Sequence, residues 1–436
     1  MSHRGPETRR DLSVAALARV EGEGAMRLRL VDGHVEHISL NIYEPPRFFE
    51  AMLVGRHAHE PPDITARICG ICPVAYQTSA NEALESIAGV TIDEPLRVLR
   101  RLLYCGEWIQ SHALHIFLLH APDFLGYDSA VELAAVDREL VERGLGLRRV
   151  GRWVIETIGG RESHPVNVRV GGFYRAPTVG ELEELRGPLK QGLEDAAATV
   201  ELVAGLDFPD LEIDHELVAL HHPDEYAIDR GRIVSDAGLD IAPAEFGEHF
   251  VEEQVAHSTA LHARRIGSDR SYLVGPLARY ALNFDQLPKS ARDAAIAAGL
   301  PRVVRNPYQS IVVRAVELLA AYDEALRLLD AYVEPERPFV DVVPTAGEGH
   351  GVSEAPRGLL YHRYVVGGDG LITAADIVPP TSQNQRAVEE DLADFVEAHM
   401  DLDDDGLRHH CEQAIRNYDP CISCATHFLD LHVDRQ

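Results

Sequence analysis

The chain has 436 residues, 45% of them hydrophobic, enough to bury a large core, and its 70 acidic against 41 basic side chains leave a net charge of −29. Such an average surface repels a phosphate backbone or an anionic membrane, so nucleic acid is excluded as an expected partner. No apolar run approaches the ~20 residues that cross a bilayer, and 1–12 is polar with no apolar export signal, so a cytoplasmic location without a membrane span is expected.

In chain order, 25–43 alternates apolar and polar residues about Asp32-Gly33, which predicts a hairpin with a two-residue turn. From 73 to 418 helical spacing dominates, with apolar residues three and four apart over 73–88, 93–120, 127–148, 178–205, 306–332, 386–399 and 404–418. Strand-like pieces return at 165–174 and at 360–377, the latter turning at Gly367-Gly368-Asp369-Gly370. The Pro-rich stretches 334–344 and 376–380 read as ordered loops. The expected fold is mainly α with peripheral β (α+β), a single large catalytic domain over 1–436 built on a central helical bundle. Within it, 73–418 is the helical core with peripheral β pieces and 419–427 a C-terminal metal-binding segment.

Six cysteines are too few for a secreted disulfide scaffold, and four of them form two C-x-x-C pairs, Cys69/Cys72 and Cys421/Cys424. Gly70 permits a tight turn and Pro73 suits the first position of the next helix, which puts Cys72 at a helix N-terminus, where the dipole favours a thiolate. The second pair follows the helix over 404–418, ended by Pro420. Cys105 and Cys411 fall alone on apolar helical faces and read as buried hydrophobes. Two C-x-x-C pairs alone leave a four-cysteine structural zinc site and dithiol redox chemistry open. Zinc ribbons, however, close over tens of residues, whereas nearly the whole chain separates these pairs, and zinc has no need of Arg67, Asp419 or His427 nearby. One further pattern, Asp401-Leu402-Asp403-Asp404-Asp405-Gly406 with Glu412, fits a calcium loop. Its eighth position is Arg408 and the predicted helix runs through it, so capping of a helix N-terminus is the expected explanation.

Arg67-Ile68-Cys69-Gly70-Ile71-Cys72 near the start and Asp419-Pro420-Cys421-Ile422-Ser423-Cys424-Ala425-Thr426-His427 at the end resemble the signature pair of nickel-iron hydrogenase large subunits. Further stretches resemble the family's other motifs in the same order: Arg19-Val20-Glu21-Gly22-Glu23-Gly24, Arg47-Phe48-Phe49-Glu50, Gly160-Arg161 with His164-Pro165, Tyr272-Leu273-Val274-Gly275-Pro276, Glu354-Ala355-Pro356-Arg357-Gly358 and Pro380-Thr381-Ser382-Gln383-Asn384.

The resemblance implies a catalytic subunit for reversible heterolytic cleavage of H2. Cys69 and Cys421 would be terminal nickel ligands, while Cys72 and Cys424 would bridge nickel to an iron carrying CN and CO. It makes Cys421 the first proton acceptor and Glu21 the relay, with Glu23 the neighbour open to confusion. Arg357 would bond one cyanide and Thr381 a second. Glu50, His427 and the backbone carbonyl of Ile377 would hold a structural Mg2+. Members of the family commonly lose a C-terminal tail after metal insertion, through a maturation protease and nickel-insertion proteins, so 428–436 is expected to be removed after His427.

Two positions depart from the family pattern, Tyr76 where many members place a His and Ser111 where an Asp often stands, and a hydrogen bond to a bridging sulfur is either lost or made by a hydroxyl. With the short length they resemble the soluble NAD(P)-linked, sulfhydrogenase-like bidirectional group. With no dinucleotide fingerprint and no further cysteine cluster, the chain needs an iron-sulfur small subunit, and in that group diaphorase-type partners carry the iron-sulfur clusters, FAD and NAD(P). The competing readings are a complex I-like relative without hydrogenase activity and a zinc-stabilised scaffold subunit.

Overall fold

The computed structural model describes residues 9–426. Strands β1 (Arg9–Val14), β2 (Gly24–Val31) and β3 (His34–Ile42) form an antiparallel sheet in that order. The β2–β3 turn is Asp32-Gly33, both residues at positive φ (49° and 81°), the geometry that matches a two-residue turn to the twist of its strands. Met26, Leu28 and Leu30 on β2 are buried, as the alternation requires.

The centre is helical. Helices α1 (Pro73–Ile87), α2 (Leu96–Leu114), α3 (Arg138–Gly159), α4 (Arg186–Ala204) and α5 (Ser310–Ala331) bury their apolar faces on one another, α2 against α3 and α5, and α5 against α4. Two expected helices are interrupted. In 127–148 the Asp137 side chain accepts the Leu140 N–H (3.0 Å) and starts α3 afresh, and in 178–205 a capping box of Thr178 and Glu181 opens a separate short helix, Val179–Glu183, before α4 begins at Arg186.

At 47% helix and 19% strand the chain has the expected α+β fold, with more strands than the sequence reading marked. Strands β4 (Glu216–His221), β5 (Arg232–Ser235), β6 (Phe250–Gln254) and β7 (Leu261–Arg265) were not legible as strands, and the expected strand at 165–174 shrinks to the pairs Val168–Arg169 and Gly172–Phe173. A three-stranded antiparallel sheet of β8 (Gly347–Ala355), β9 (Gly358–Val366) and β10 (Ile372–Val378) lies directly on α1. Here the glycines of β8 serve contact, not turning: a Cβ at Gly351 would sit 2.0 Å from the Ser79 carbonyl oxygen of α1. Helices α6 (Pro380–Ala398) and α7 (Asp404–Asn417) complete the chain. Asp403 caps α7, its Oδ1 accepting the Gly406 N–H at 2.8 Å, so the acidic run at 401–406 opens a helix rather than a calcium loop. One apolar cluster extends from Leu12 to Cys424, so both cysteine pairs belong to the same core.

Candidate metal centre

Residues 352 positions apart meet at the core. Cys72 is the N-cap of α1, with Pro73 at its first position, and Cys421 is the N-cap of the short helix Ile422–Ala425. The four sulfurs lie within 4.8 Å of one another, and all four cysteines are buried. They associate crosswise between the motifs: Cys69 Sγ is 3.4 Å from Cys421 Sγ, and Cys72 Sγ is 3.6 Å from Cys424 Sγ. The sulfurs of Cys421 and Cys424 are also in direct contact, so all four converge on one point. Between Cys69 and Cys72 a mutual hydrogen bond favours the thiolate on Cys69 and, with burial, pushes Cys72 well up.

The turn bearing the second pair is held from several sides. Asp419 adopts a left-handed φ of 49°, its carbonyl accepts Arg357 Nε at 2.7 Å, and its Oδ1 accepts Arg357 Nη2 at 3.0 Å. Thr381 Oγ1, one residue into α6, accepts the Cys421 N–H at 2.9 Å. Burial works against the charge on Arg357, but Asp419, Cys72 and Cys69 outweigh it and raise its pKa. The loop carrying Arg357 is in turn fixed by Arg279, which donates to the Ala355 and Pro356 carbonyls at 2.6 and 2.8 Å. Gly275 lets the two motifs touch backbone to backbone, since a Cβ there would sit 2.6 Å from the Arg357 carbonyl oxygen.

Glu21 reaches the sulfurs. Its Oε2 lies 3.2 Å from Cys421 Sγ and accepts the Ser423 N–H at 3.1 Å, while its carbonyl accepts the Ile422 N–H at 3.0 Å. Glu23, two residues on, is exposed, so the two neighbours separate cleanly. Glu50 Oε1 accepts the Ile377 N–H at 2.7 Å, which brings those two residues together; His427 lies outside the described residues.

Arg67, expected beside the sulfurs, points outward with its Nε on the Asp63 carbonyl at 3.3 Å. The arginine that serves the site is Arg47, whose Nη2 donates both to the Ile68 carbonyl at 2.6 Å and to the Ser423 carbonyl, clamping the two cysteine motifs together. Sequence reading also missed Glu107 on α2. Burial raises its pKa strongly although its carboxylate accepts the Val74 and Ala75 N–H groups at 2.6 and 3.1 Å, the free donors that open α1 just after Cys72. Glu44 is a third: its Oε2 accepts Ser423 Oγ at 3.3 Å and its Oε1 the Glu23 N–H at 2.8 Å. At the departures, neither the Tyr76 hydroxyl nor the Ser111 hydroxyl, both buried, has a hydrogen-bond partner among the described residues.

The donor set is chemically selective. Four thiol sulfurs in a dry core suit a thiophilic metal. Arg357 Nη1 is buried without a partner, beside a guanidinium edge already saturated by Asp419, so it is a ready donor to an anionic or polar group held by the sulfurs.

The description "Nickel-dependent hydrogenase" matches residues 47–145 and 269–427. The chain belongs to the nickel-dependent hydrogenase family. It is 33% identical over 425 residues to "Sulfhydrogenase 1 subunit alpha" of Pyrococcus furiosus, covering 96% of this chain and 98% of that protein. It is 29% identical to "NAD-reducing hydrogenase HoxS subunit beta" of Cupriavidus necator, over 96% of this chain and 95% of that one. A crystal structure of an NAD+-reducing [NiFe]-hydrogenase in the H2-reduced state superposes with a TM-score of 0.87 at 30% identity, over 96% of this chain and 99% of that chain. This hydrogenase is an oxidoreductase acting on hydrogen, with the large-subunit fold, and its four-cysteine cluster is the place for a nickel-iron centre. The zinc-scaffold and complex I-like readings give way to it. Among the described residues no helix is long and apolar enough to cross a membrane.

Proposed function

We propose that this hydrogenase chain catalyses reversible heterolytic cleavage of H2 at a nickel-iron centre on Cys69, Cys72, Cys421 and Cys424, and passes the electrons to an iron-sulfur small subunit. The bound centre would polarise H2 so that it divides into a proton and a two-electron reducing equivalent. The observation that carries the reading is the contact of Cys421 Sγ with Glu21 Oε2 at 3.2 Å, which gives a thiolate base an immediate proton acceptor. The crosswise sulfur pairs support Cys69 and Cys421 as the nickel-only ligands, with Cys72 and Cys424 shared with iron.

Beside Glu21, Ser423 donates its N–H to that carboxylate and its hydroxyl to half-buried Glu44, which makes Glu44 the next carboxylate that a proton leaving Glu21 would meet. Arg357, through its unpartnered Nη1, would donate to a cyanide of the iron. The Thr381 hydroxyl, having accepted the Cys421 N–H, keeps its own proton for a second cyanide. Glu50 and the Ile377 carbonyl, with His427, would supply the oxygen and imidazole ligands for Mg2+.

Electrons need a partner, because the two remaining cysteines, Cys105 and Cys411, are isolated and burial raises both thiols, Cys411 to about 12. Similarity to an NAD-reducing enzyme and to sulfhydrogenases supports a soluble, cytoplasmic, NAD(P)-linked assembly with diaphorase-type subunits that carry FAD and iron-sulfur clusters. In the assembled complex Cys421→Ser is expected to abolish H2/D+ exchange, because a hydroxyl cannot replace a soft thiolate at nickel. Parental exchange rates in that variant at full nickel content would refute the assignment.

A further inference from the structure

A second cluster of metal-binding groups lies where three elements outside the catalytic motifs meet. Glu389 on α6 accepts the Leu40 N–H of β3 at its Oε1 (2.8 Å), and the same oxygen is 2.8 Å from Nε2 of His257, in the loop between β6 and β7. His262 on β7 places its ring 5.4 Å from that of His257, nearly perpendicular at 83°. His257, His262 and Glu389 each offer a ligand atom, and the three atoms lie within 4.8 Å of one another. Among the described residues, the four cysteines are the only other such group.

Hydrogen bonding among protein groups leaves this cluster incomplete. His262 is 8% exposed, yet its Nε2 is buried without a hydrogen-bond partner. Burial, with His257 beside it, lowers its pKa to about 4, so the ring is neutral at physiological pH, the form in which imidazole binds metals. The Leu40 N–H already orients the carboxylate, the outer support that a ligating glutamate commonly has. A surface cleft lined by His37, Ser39, Asn41 and His257 gives an entry path.

We propose that His257, His262 and Glu389 form a second metal site, distinct from the four-cysteine centre, for a divalent cation of zinc's class. Two imidazoles and one carboxylate favour zinc over magnesium or calcium, with water as a fourth ligand. Tetrahedral ligands about 2.1 Å from zinc stand about 3.4 Å apart, so the groups need to shift by only about an ångström to close on the ion. Its place suggests a staple. The loop is tied to β3 by Thr259 N–H on the Ile42 carbonyl (2.8 Å) and by Asn41 Nδ2 on the His257 carbonyl (2.9 Å). Ile42 and Ala260 then pack with Ile422 and Ala425, so the metal would fix the floor beneath the second cysteine turn.

The test uses the assembled complex, incubated with Zn2+ and desalted, then examined by elemental analysis and zinc K-edge X-ray absorption. The expected result is one zinc per chain beyond nickel and iron, with a nitrogen and oxygen shell showing imidazole back-scattering and no sulfur. His262→Ala should lose that zinc, and any zinc-dependent rise in Tm, while nickel and iron are unchanged. No retained zinc, a sulfur-bound zinc, or equal zinc in His262→Ala would overturn the proposal. If the variant fails to fold, the shell measured on the parent complex decides by itself.

Discussion

Glu21 and Glu23 differ in nothing that composition or spacing can see, yet only the first reaches Cys421 while the second is exposed. The bend at Gly22, whose φ is 90°, decides this: in an extended strand residues two apart would share a face, and here they diverge. If Glu21 carries the proton, Glu21→Gln keeps the shape and the Ser423 contact but not the transfer. The variant is expected to retain nickel and iron and to lose at least about a hundredfold in H2 oxidation, the scale of a lost acid-base group. Metal analysis beside a turnover assay checks it, and parental turnover would remove Glu21 from the route. The cysteines, Glu21, Arg357 and Thr381 were legible because motif residues lie in fixed order along the chain. Arg47, Glu44 and Glu107 were not recognised as parts of the site, because a side chain that binds main-chain carbonyls or N–H groups across a fold leaves no spacing signal in sequence. Arg67 misled for the same reason: adjacency to Cys69 in sequence says little about which way a guanidinium points.

At the scale of elements, helices were readable from their period and several strands were not. β8 carries glycine at alternate positions, which signals a loop in sequence but here permits contact with α1. β4 is buried along most of its length, so the alternation that marks a half-exposed strand is absent. Helix α6 begins at Pro380, not near 386, because a proline at the first helical position lacks only an N–H that would be unpaired there anyway. What joins elements around the centre is ionic. Arg279 on the segment after Tyr272–Leu273 binds Glu317 of α5 at 2.8 and 2.9 Å and Glu354 of β8 at 3.1 Å, all fully buried. Burial opposes ionisation of Glu317, but the charge of Arg279 and its hydrogen bonds prevail and hold its pKa at about 2, against an ordinary 4.5. A depressed carboxylate stabilises the fold above its unfolded pKa, and that contribution fades as pH falls from 4.5 toward 2, a change on the order of 3 kcal/mol. Glu317→Gln should therefore lower Tm most at neutral pH, with the gap to the parent narrowing below about pH 4.5. A gap that stays constant with pH would contradict this account of the network.

Across the whole molecule, the two ends of the chain converge on one centre, and the geometry constrains what can follow it. Thr426 is fully buried and its carbonyl accepts the Arg47 N–H at 2.7 Å. Ten residues of sequence follow, including Asp430, Asp434 and Arg435, which are costly to bury. The mature, nickel-loaded chain is therefore expected to end at His427, read directly by intact mass, and an active enzyme still ending at Gln436 would contradict that. The overall class and the family were legible from the motif order, and the fold agrees with relatives over nearly the full length. The one measurement that bears most directly on the central claim is the infrared spectrum of the purified, nickel-loaded complex. Cyanide and carbonyl stretching bands that shift on exposure to H2 in the parent, and no longer shift in Cys421→Ser, are the predicted result; nickel-loaded protein without such bands would contradict a nickel-iron centre on these four cysteines.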